Sequence, residues 1–330
     1  MATLTERENI YRMYRGEMPA FLPQGGFRDF KCSRFVDVKK PGYHVDEFGV
    51  EYIGKEGVFG GTPLPMPGKF LLHDIRRWRD VIKSPDLSDV DWAALAAKDL
   101  KDIDTQRFGT VFYWGKIFQR ICDFMGFTEG LCAIAEEPEE VYALFDYLCS
   151  FYERVLKEVL YHYKPDAVCI PDDTATARAP FISKESFRSL VLPFYRRIAE
   201  LVHNSGAFLE KHDCGRCEDF IDDWMEELGV VAWNPAQPSN DLVGIKKKYG
   251  RRLTIAGGWD SQGPESFAET EDSVMLEALH RYVDTLAPGG GFIFSAYVSG
   301  EMGDENVKRK FGLIQKFYQE YARNWYDTHS

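Results

Sequence analysis

The stretch Asp166 to Cys217, DAVCIPDDTATARAPFISKESFRSLVLPFYRRIAELVHNSGAFLEKHDCGRC, decides the architecture. It opens on a short apolar run, DAVCIP (166–171). It then passes through a segment with apolar residues at helical steps (183–204) and returns in a second apolar run, AFLEKH (207–212). Ser183 stands where a helix N-cap is wanted, and Pro193 falls inside the helical pattern. A strand, a helix and a strand in this order form a right-handed crossover with parallel pairing.

The alternation continues outward on both sides. GTVFYWG (109–115) reads as a strand. Residues 137–163 read as a long helix whose apolar stripe is Val141, Leu144, Phe145, Leu148, Tyr152, Val155, Leu156 and Val159. Helices are predicted over 216–228, 242–249, 265–286 and 304–326, and strands over 230–233, 253–256 and 291–295. Six strands are readable after residue 108. Ala20 to Leu22 is a candidate for a further one, and the long gap after the first strand has room for another. The predicted fold is α/β, a single (β/α)₈ TIM barrel with an N-terminal helical and loop extension. Residues 1–105 form the extension packing on the barrel, and 106–330 the main part of the barrel. Within the extension, residues 4–16 look helical, with Thr5 as N-cap three residues before Glu8. Val45 to Ile53 suggests a hairpin around Phe48-Gly49, and residues 71–85 return to a helical pattern. A doubly wound open sheet is the alternative, but no G-x-G-x-x-G opens the first strand–helix turn.

Composition restricts the function. The chain has 330 residues, 40 Lys and Arg against 52 Asp and Glu, and a net charge of −12. With 45% hydrophobic residues it can bury a large core. An acidic chain lacks the basic face of a nucleic-acid reader. No uninterrupted apolar run reaches the ~20 residues of a membrane span, so no membrane role is expected. The seven scattered cysteines read as reduced thiols of a cytoplasmic protein rather than as a disulfide framework.

In a parallel barrel the chemistry sits at the C-terminal ends of the strands. The polar and aromatic residues there include Trp114, Asp172, Asp173, His212, Cys214, Cys217, Trp233, Asn234, Asp260, Tyr297 and Glu301. The sharpest signal is His212-Asp213-Cys214. Residues i and i+2 of a strand face one side, so an imidazole and a thiolate point into the mouth together, and both are good zinc ligands. Cys217 lies near enough in sequence to be a third ligand. The bland alternative is two buried cysteines and a hydrogen-bonded histidine. Asp172-Asp173 offers a carboxylate that orients substrate or moves a proton, against the alternative of a loop cap. Tyr297 and Glu301 are candidates for the same work, and Trp114, Asp172, Trp233 and Asp260 for substrate contacts. Each has an ordinary core or solvated-loop alternative.

These residues and several longer stretches resemble the uroporphyrinogen decarboxylase superfamily. The matching stretches are TERENIYRMYRGEMP (5–19), the block from Asp172 to Ile198, HDCG (212–215), LTIAGGWD (253–260) and LAPGGGFIFSAY (286–297). The resemblance implies a (β/α)₈ barrel. Decarboxylases of the family carry an arginine-rich segment near the N-terminus that grips substrate carboxylates. Here the corresponding PAFLPQGGFRDF (19–30) holds only Arg28. The other branch, which this chain resembles more, is that of cobamide-dependent methyltransferases and O-demethylases. In these, H-x-C and a distant cysteine bind zinc. His212 and Cys214 match the H-x-C, while the distant position falls near Val298, which leaves Cys217 or Glu301 as substitutes. The resemblance implies a methyltransferase moving a methyl group between a small methylated substrate, such as an aryl methyl ether, and cobalamin. No D-x-H-x-x-G cobalamin motif is present, so the cobalamin would be carried by a partner corrinoid protein, with the acidic surface as docking face. A homodimer is a candidate assembly. The alternatives are a decarboxylase-like lyase and a metal-free, non-catalytic small-molecule-binding barrel.

Overall fold

The computed structural model describes all residues except 1–3, 36, 41, 55–57, 60–62, 302 and 330. Seven strands follow one another in chain order in one curled sheet: β1 (Arg28–Phe30), β2 (Thr110–Tyr113), β3 (Ala167–Pro171), β4 (Phe208–His212), β5 (Ala232–Ala236), β6 (Thr254–Gly257) and β7 (Phe292–Ile293). Every neighbouring pair is parallel. At the far edge, one bridge joins Phe294 to Gln24, just before β1. The Phe294 N–H donates to Pro23 O at 2.9 Å and the Gly25 N–H donates to Phe294 O at 3.1 Å.

The sheet therefore curls like a barrel but has seven strands and no full ladder across the seam, where the sequence pattern suggested eight. Ala20 to Leu22 is not a strand. Asn9 takes its backbone groups instead, accepting from the Ala20 N–H (2.7 Å) and donating to Phe21 O (2.9 Å). Pro19 and Pro23 on either side have no N–H to offer a ladder. The strand from the N-terminal region is Arg28–Phe30, so that region supplies the sheet with β1.

Helix α1 (Glu6–Tyr14) begins with the predicted cap. Thr5 and Glu8 satisfy each other's backbone N–H groups. The helix packs Ile10, Met13 and Tyr14 against Phe27, Val111, Ala167, Cys169, Ala232 and Ile293, plugging the sheet's concave side. The opposite faces of the strands bury against the outer helices. These include α2 (Phe118–Met125), α3 (Pro138–His162), α4 (Leu192–Ser205), α5 (Ile221–Glu227), α6 (Leu242–Tyr249), α7 (Asp272–Leu286) and α8 (Glu305–Phe317). The predicted stripe of α3 is fully buried. Several segments depart from the sequence pattern. The α4 region starts as one turn (Lys184–Ser186) and widens into a π turn (Phe187–Val191), because Pro193 cannot donate to the carbonyl four residues back. Helix α7 starts at Asp272, after a separate short turn at Pro264–Ser266. The gap between β2 and β3 holds helices, not a strand. Residues 71–85 hold only the turns Ile75–Arg77 and Trp78–Val81.

The predicted hairpin is present, with Tyr43–Val45 antiparallel to Glu51–Ile53. Its loop is anchored on the body. Phe48 stands edge-on to Phe124 of α2 and Phe151 of α3, and buried Arg120 pairs with Asp46 and Glu47. Among the described residues, no helix is long and apolar enough to cross a membrane, and all seven cysteines are free.

Candidate metal centre

The ends of β3 and β4 are tied together by groups the sequence places there. Pro171 pairs with His212 in register, and the Asp172 N–H donates to His212 O at 3.1 Å. Buried Lys211 donates to Asp172 O (2.7 Å) and His212 O (2.6 Å), and its ammonium lies 3.1 Å from Asp213 Oδ2. Asp213 in turn accepts from the Thr174 N–H (2.8 Å) and hydroxyl (2.7 Å). Gly215 completes the turn at φ +86°. A Cβ there would meet Ala175 O and Thr176 O at 2.5 Å, so only glycine fits.

The adjacent aspartates have different jobs. Asp172 is fully buried. Its carboxylate accepts from the backbone N–H groups of Ile117 (2.7 Å), Phe118 (2.6 Å) and Gln119 (2.7 Å) and from the Tyr195 hydroxyl (2.7 Å). It caps the start of α2 from a neighbouring strand, where a negative charge is favoured. Burial pushes its carboxyl up, opposed by Lys211 and these donors. It is an anchor of the fold, not the substrate contact the sequence suggested. Asp173 faces the mouth. Its Oδ1 accepts from the Cys214 N–H at 2.8 Å and lies 3.7 Å from His212 Nε2. Cys214 Sγ is 3.8 Å from the same nitrogen.

Asp173, His212 and Cys214 thus offer one oxygen, one nitrogen and one sulfur, all within 4.8 Å of one another. Ligands about 2.0–2.3 Å from a tetrahedral zinc lie about 3.3–3.8 Å apart, so the two separations at Nε2 fit such an ion with little adjustment. Burial pushes the His212 imidazole down and so favours its neutral form, while the Asp173 charge opposes this. Burial and the Asp173 charge push the Cys214 thiol up to about 12. A bound dication reverses that preference by stabilising the thiolate. The residues present therefore fit a zinc ion with a position left open.

The other predicted residues sit elsewhere. Cys217 is fully buried, and its Sγ lies 3.8 Å from Asp213 O. It lies outside the three-donor group, because the tight turn at Gly215 carries the chain into the core. Trp233 is also fully buried, packed on Trp224 with its indole donating to Asp213 O at 3.0 Å. It supports the turn from below rather than touching substrate. Asp260 is exposed, caps its own loop by accepting from the Gln262 and Gly263 N–H groups, and borders a cavity of about 550 Å³ beside α6 and α7. Tyr297 is half-buried, with its carbonyl accepting from the Trp259 indole. Glu301 is exposed and belongs to a two-residue strand paired with Val58–Phe59. Val298, where the resemblance expects a ligand, is a fully buried valine.

Trp114 lines a second cavity of about 350 Å³ with Phe30, Phe35, Tyr113, Asp29 and Lys31. Tyr113 links this cavity to the three-donor group, since its ring stands edge-on to His212 with centroids 6.1 Å apart. The sequence pattern missed Tyr113 as a site residue, although its place at the end of β2 was a usable signal. It also missed Glu210, which shares the inward face with His212 two residues on.

A comparison with curated proteins returns no match. The chain is similar in fold to a methyltransferase from Methanosarcina mazei, with a TM-score of 0.63 and 12% sequence identity over 96% of this chain and 100% of that one. The model of the uroporphyrinogen decarboxylase (URO-D) family matches residues 115–301, which hold strands β3 to β7 and the three candidate donors Asp173, His212 and Cys214. With more than half of its length matched, the chain belongs to the uroporphyrinogen decarboxylase family.

Proposed function

We propose that the protein is a zinc-assisted methyltransferase of the corrinoid-dependent kind, with Asp173, His212 and Cys214 as its metal ligands. It would move a methyl group between a small methylated compound and the cobalt of a corrinoid on a separate protein. The observation that carries this reading is the three-donor group at the C-terminal ends of β3 and β4. A bound zinc would supply Lewis acidity, drawing electron density from a substrate oxygen or holding a thiol as thiolate.

The chain's own residues set the rest. The aromatic cavity beside Tyr113 supplies a flat apolar wall suited to an aryl methyl ether. Lys31 and Asp29 give it polar groups that can orient a substituent. The methyltransferase name of the similarly folded archaeal protein agrees with this choice. Decarboxylation of a polyacid is disfavoured by Arg28. It opens β1 at the N-terminal end of the sheet and lies over the Phe108 ring at 4.5 Å, at the other end from His212. A substrate with several carboxylates needs several cations around it.

The test is methyl transfer to free or protein-bound cob(I)alamin from methoxyarenes, methylamines and methylated thiols, followed by absorbance. Transfer from at least one class, abolished by His212→Ala, supports the proposal. No transfer from any of them overturns it.

A further inference from the structure

A hydrogen-bonded chain runs along the inside of the sheet from α1 to the metal centre. The Tyr14 hydroxyl donates to Glu210 Oε1 at 2.8 Å. Asn234 Nδ2 donates to Glu210 Oε2 at 3.3 Å. Asn234 Oδ1 lies 2.9 Å from His212 Nδ1 and accepts from the Tyr113 hydroxyl at 3.3 Å. Tyr14 and Glu210 are buried, and Asn234 is half-buried.

This arrangement has a direction. Glu210 Oε1 takes the Tyr14 hydroxyl and Oε2 takes the Asn234 amide, so the NH₂ of Asn234 faces Glu210, and the Tyr113 hydroxyl donates to the opposite, oxygen end. The amide oxygen then faces His212, where it can only accept. The imidazole must place its proton on Nδ1 to meet it. Nε2 is left with its lone pair, and Nε2 is the atom that lies 3.7 Å from Asp173 Oδ1 and 3.8 Å from Cys214 Sγ. The reverse amide orientation would give up the Asn234 donation to Glu210 Oε2 and the acceptance from the Tyr113 hydroxyl.

We infer that Asn234 is a positioning residue, held by Glu210 and Tyr14, that fixes His212 in its Nδ1–H form and so presents Nε2 to the metal. The inference rests on the proposed metal centre for its purpose, while its geometry belongs to the protein without an ion. Partners of this kind raise metal affinity by about 10–100-fold.

The test uses the full-length protein, metal-free, with ¹⁵N-labelled histidine at pH 8. Long-range ¹H–¹⁵N correlations report the tautomer, and His212 is assigned by its loss in His212→Gln. Wild type should show Nδ1–H, and Asn234→Ala should shift His212 to Nε2–H. The double variant Asn234→Asp with Glu210→Gln exchanges acceptor and donor between the two sites and should restore Nδ1–H. In chelator competition, Asn234→Ala should weaken zinc binding about 10–100-fold, and the double variant should recover most of it. An Nε2–H tautomer in wild type, or no change in Asn234→Ala, overturns the inference. The predicted tautomers in a wild type that binds no zinc would uphold the positioning and overturn the metal reading instead.

Discussion

Replacing Asp172 by asparagine tests the division of labour between the two adjacent aspartates. The carboxylate accepts four short hydrogen bonds, three from the first residues of the α2 region and one from Tyr195. An asparagine keeps one oxygen, and its NH₂ must face at least one of those donors. Hydrogen bonds to a charged group are worth about 1.5–3 kcal/mol each, and a buried donor left unpaired costs about 1–3 kcal/mol. Single substitutions rarely exceed about 4–5 kcal/mol, so a loss of about 3–5 kcal/mol is expected. An unfolding entropy of about 2.1 cal/mol/K per residue gives about 0.7 kcal/mol/K for a chain of this size. The melting temperature should therefore fall by about 4–7 °C in calorimetry, with zinc content unchanged at 20 °C. Asp173→Asn should do the reverse, leaving the Tm of the metal-free protein within about 2 °C of metal-free wild type while zinc content falls. A Tm for Asp172→Asn within about 2 °C of wild type would refute the assignment of Asp172 as an anchor.

Two further outcomes follow from the same geometry. Cys217→Ala should leave zinc stoichiometry unchanged, since its thiol is buried beside Asp213 O, and elemental analysis of the purified variant checks this. Burial lowers the Lys246 pKa to about 8, with its ammonium donating to Gly290 O at 2.5 Å. The unfolded chain then binds more protons than the folded one between about pH 8 and 10.5, so this lysine costs stability below pH 8 and the cost vanishes as pH rises through that window. Lys246→Met should be more stable than wild type by about 2 kcal/mol at pH 7 in urea titrations, with the advantage gone near pH 10.5.

The long-period features were legible in the sequence. The α3 stripe and the runs that become β3 and β4 needed no tertiary information, since burial on one face or two writes itself into the residue pattern. The Thr5 cap was legible for the same local reason. β1 was not, because Arg28–Phe30 is three residues long and emerges from a glycine and proline tract with no alternation to read. The stop at seven strands, where eight were expected, was not legible either. Asn9 satisfies the backbone of Ala20 and Phe21, a contact no local pattern encodes. At the candidate site, period two continued past the end of β4 suggested that His212 and Cys214 lie together, and their Nε2 and Sγ are 3.8 Å apart. Asp173 was recognised as a mouth residue, but its nearness to Nε2 depends on the register of Pro171 with His212, which is set between strands. Cys217 looked equivalent to Cys214 in spacing. The left-handed turn at Gly215 separates them, sending one thiol to the mouth and the other to the core.

Zinc stoichiometry in four proteins tests the central claim most directly. Wild type, Asp173→Ala, His212→Ala and Cys214→Ser would be purified from zinc-supplemented cells, dialysed against a weak chelator and measured by elemental analysis, with circular dichroism to verify folding. One zinc per chain in wild type, lost from each folded variant, is the predicted result. A folded wild type without zinc, or variants that keep the wild-type content, would contradict the account.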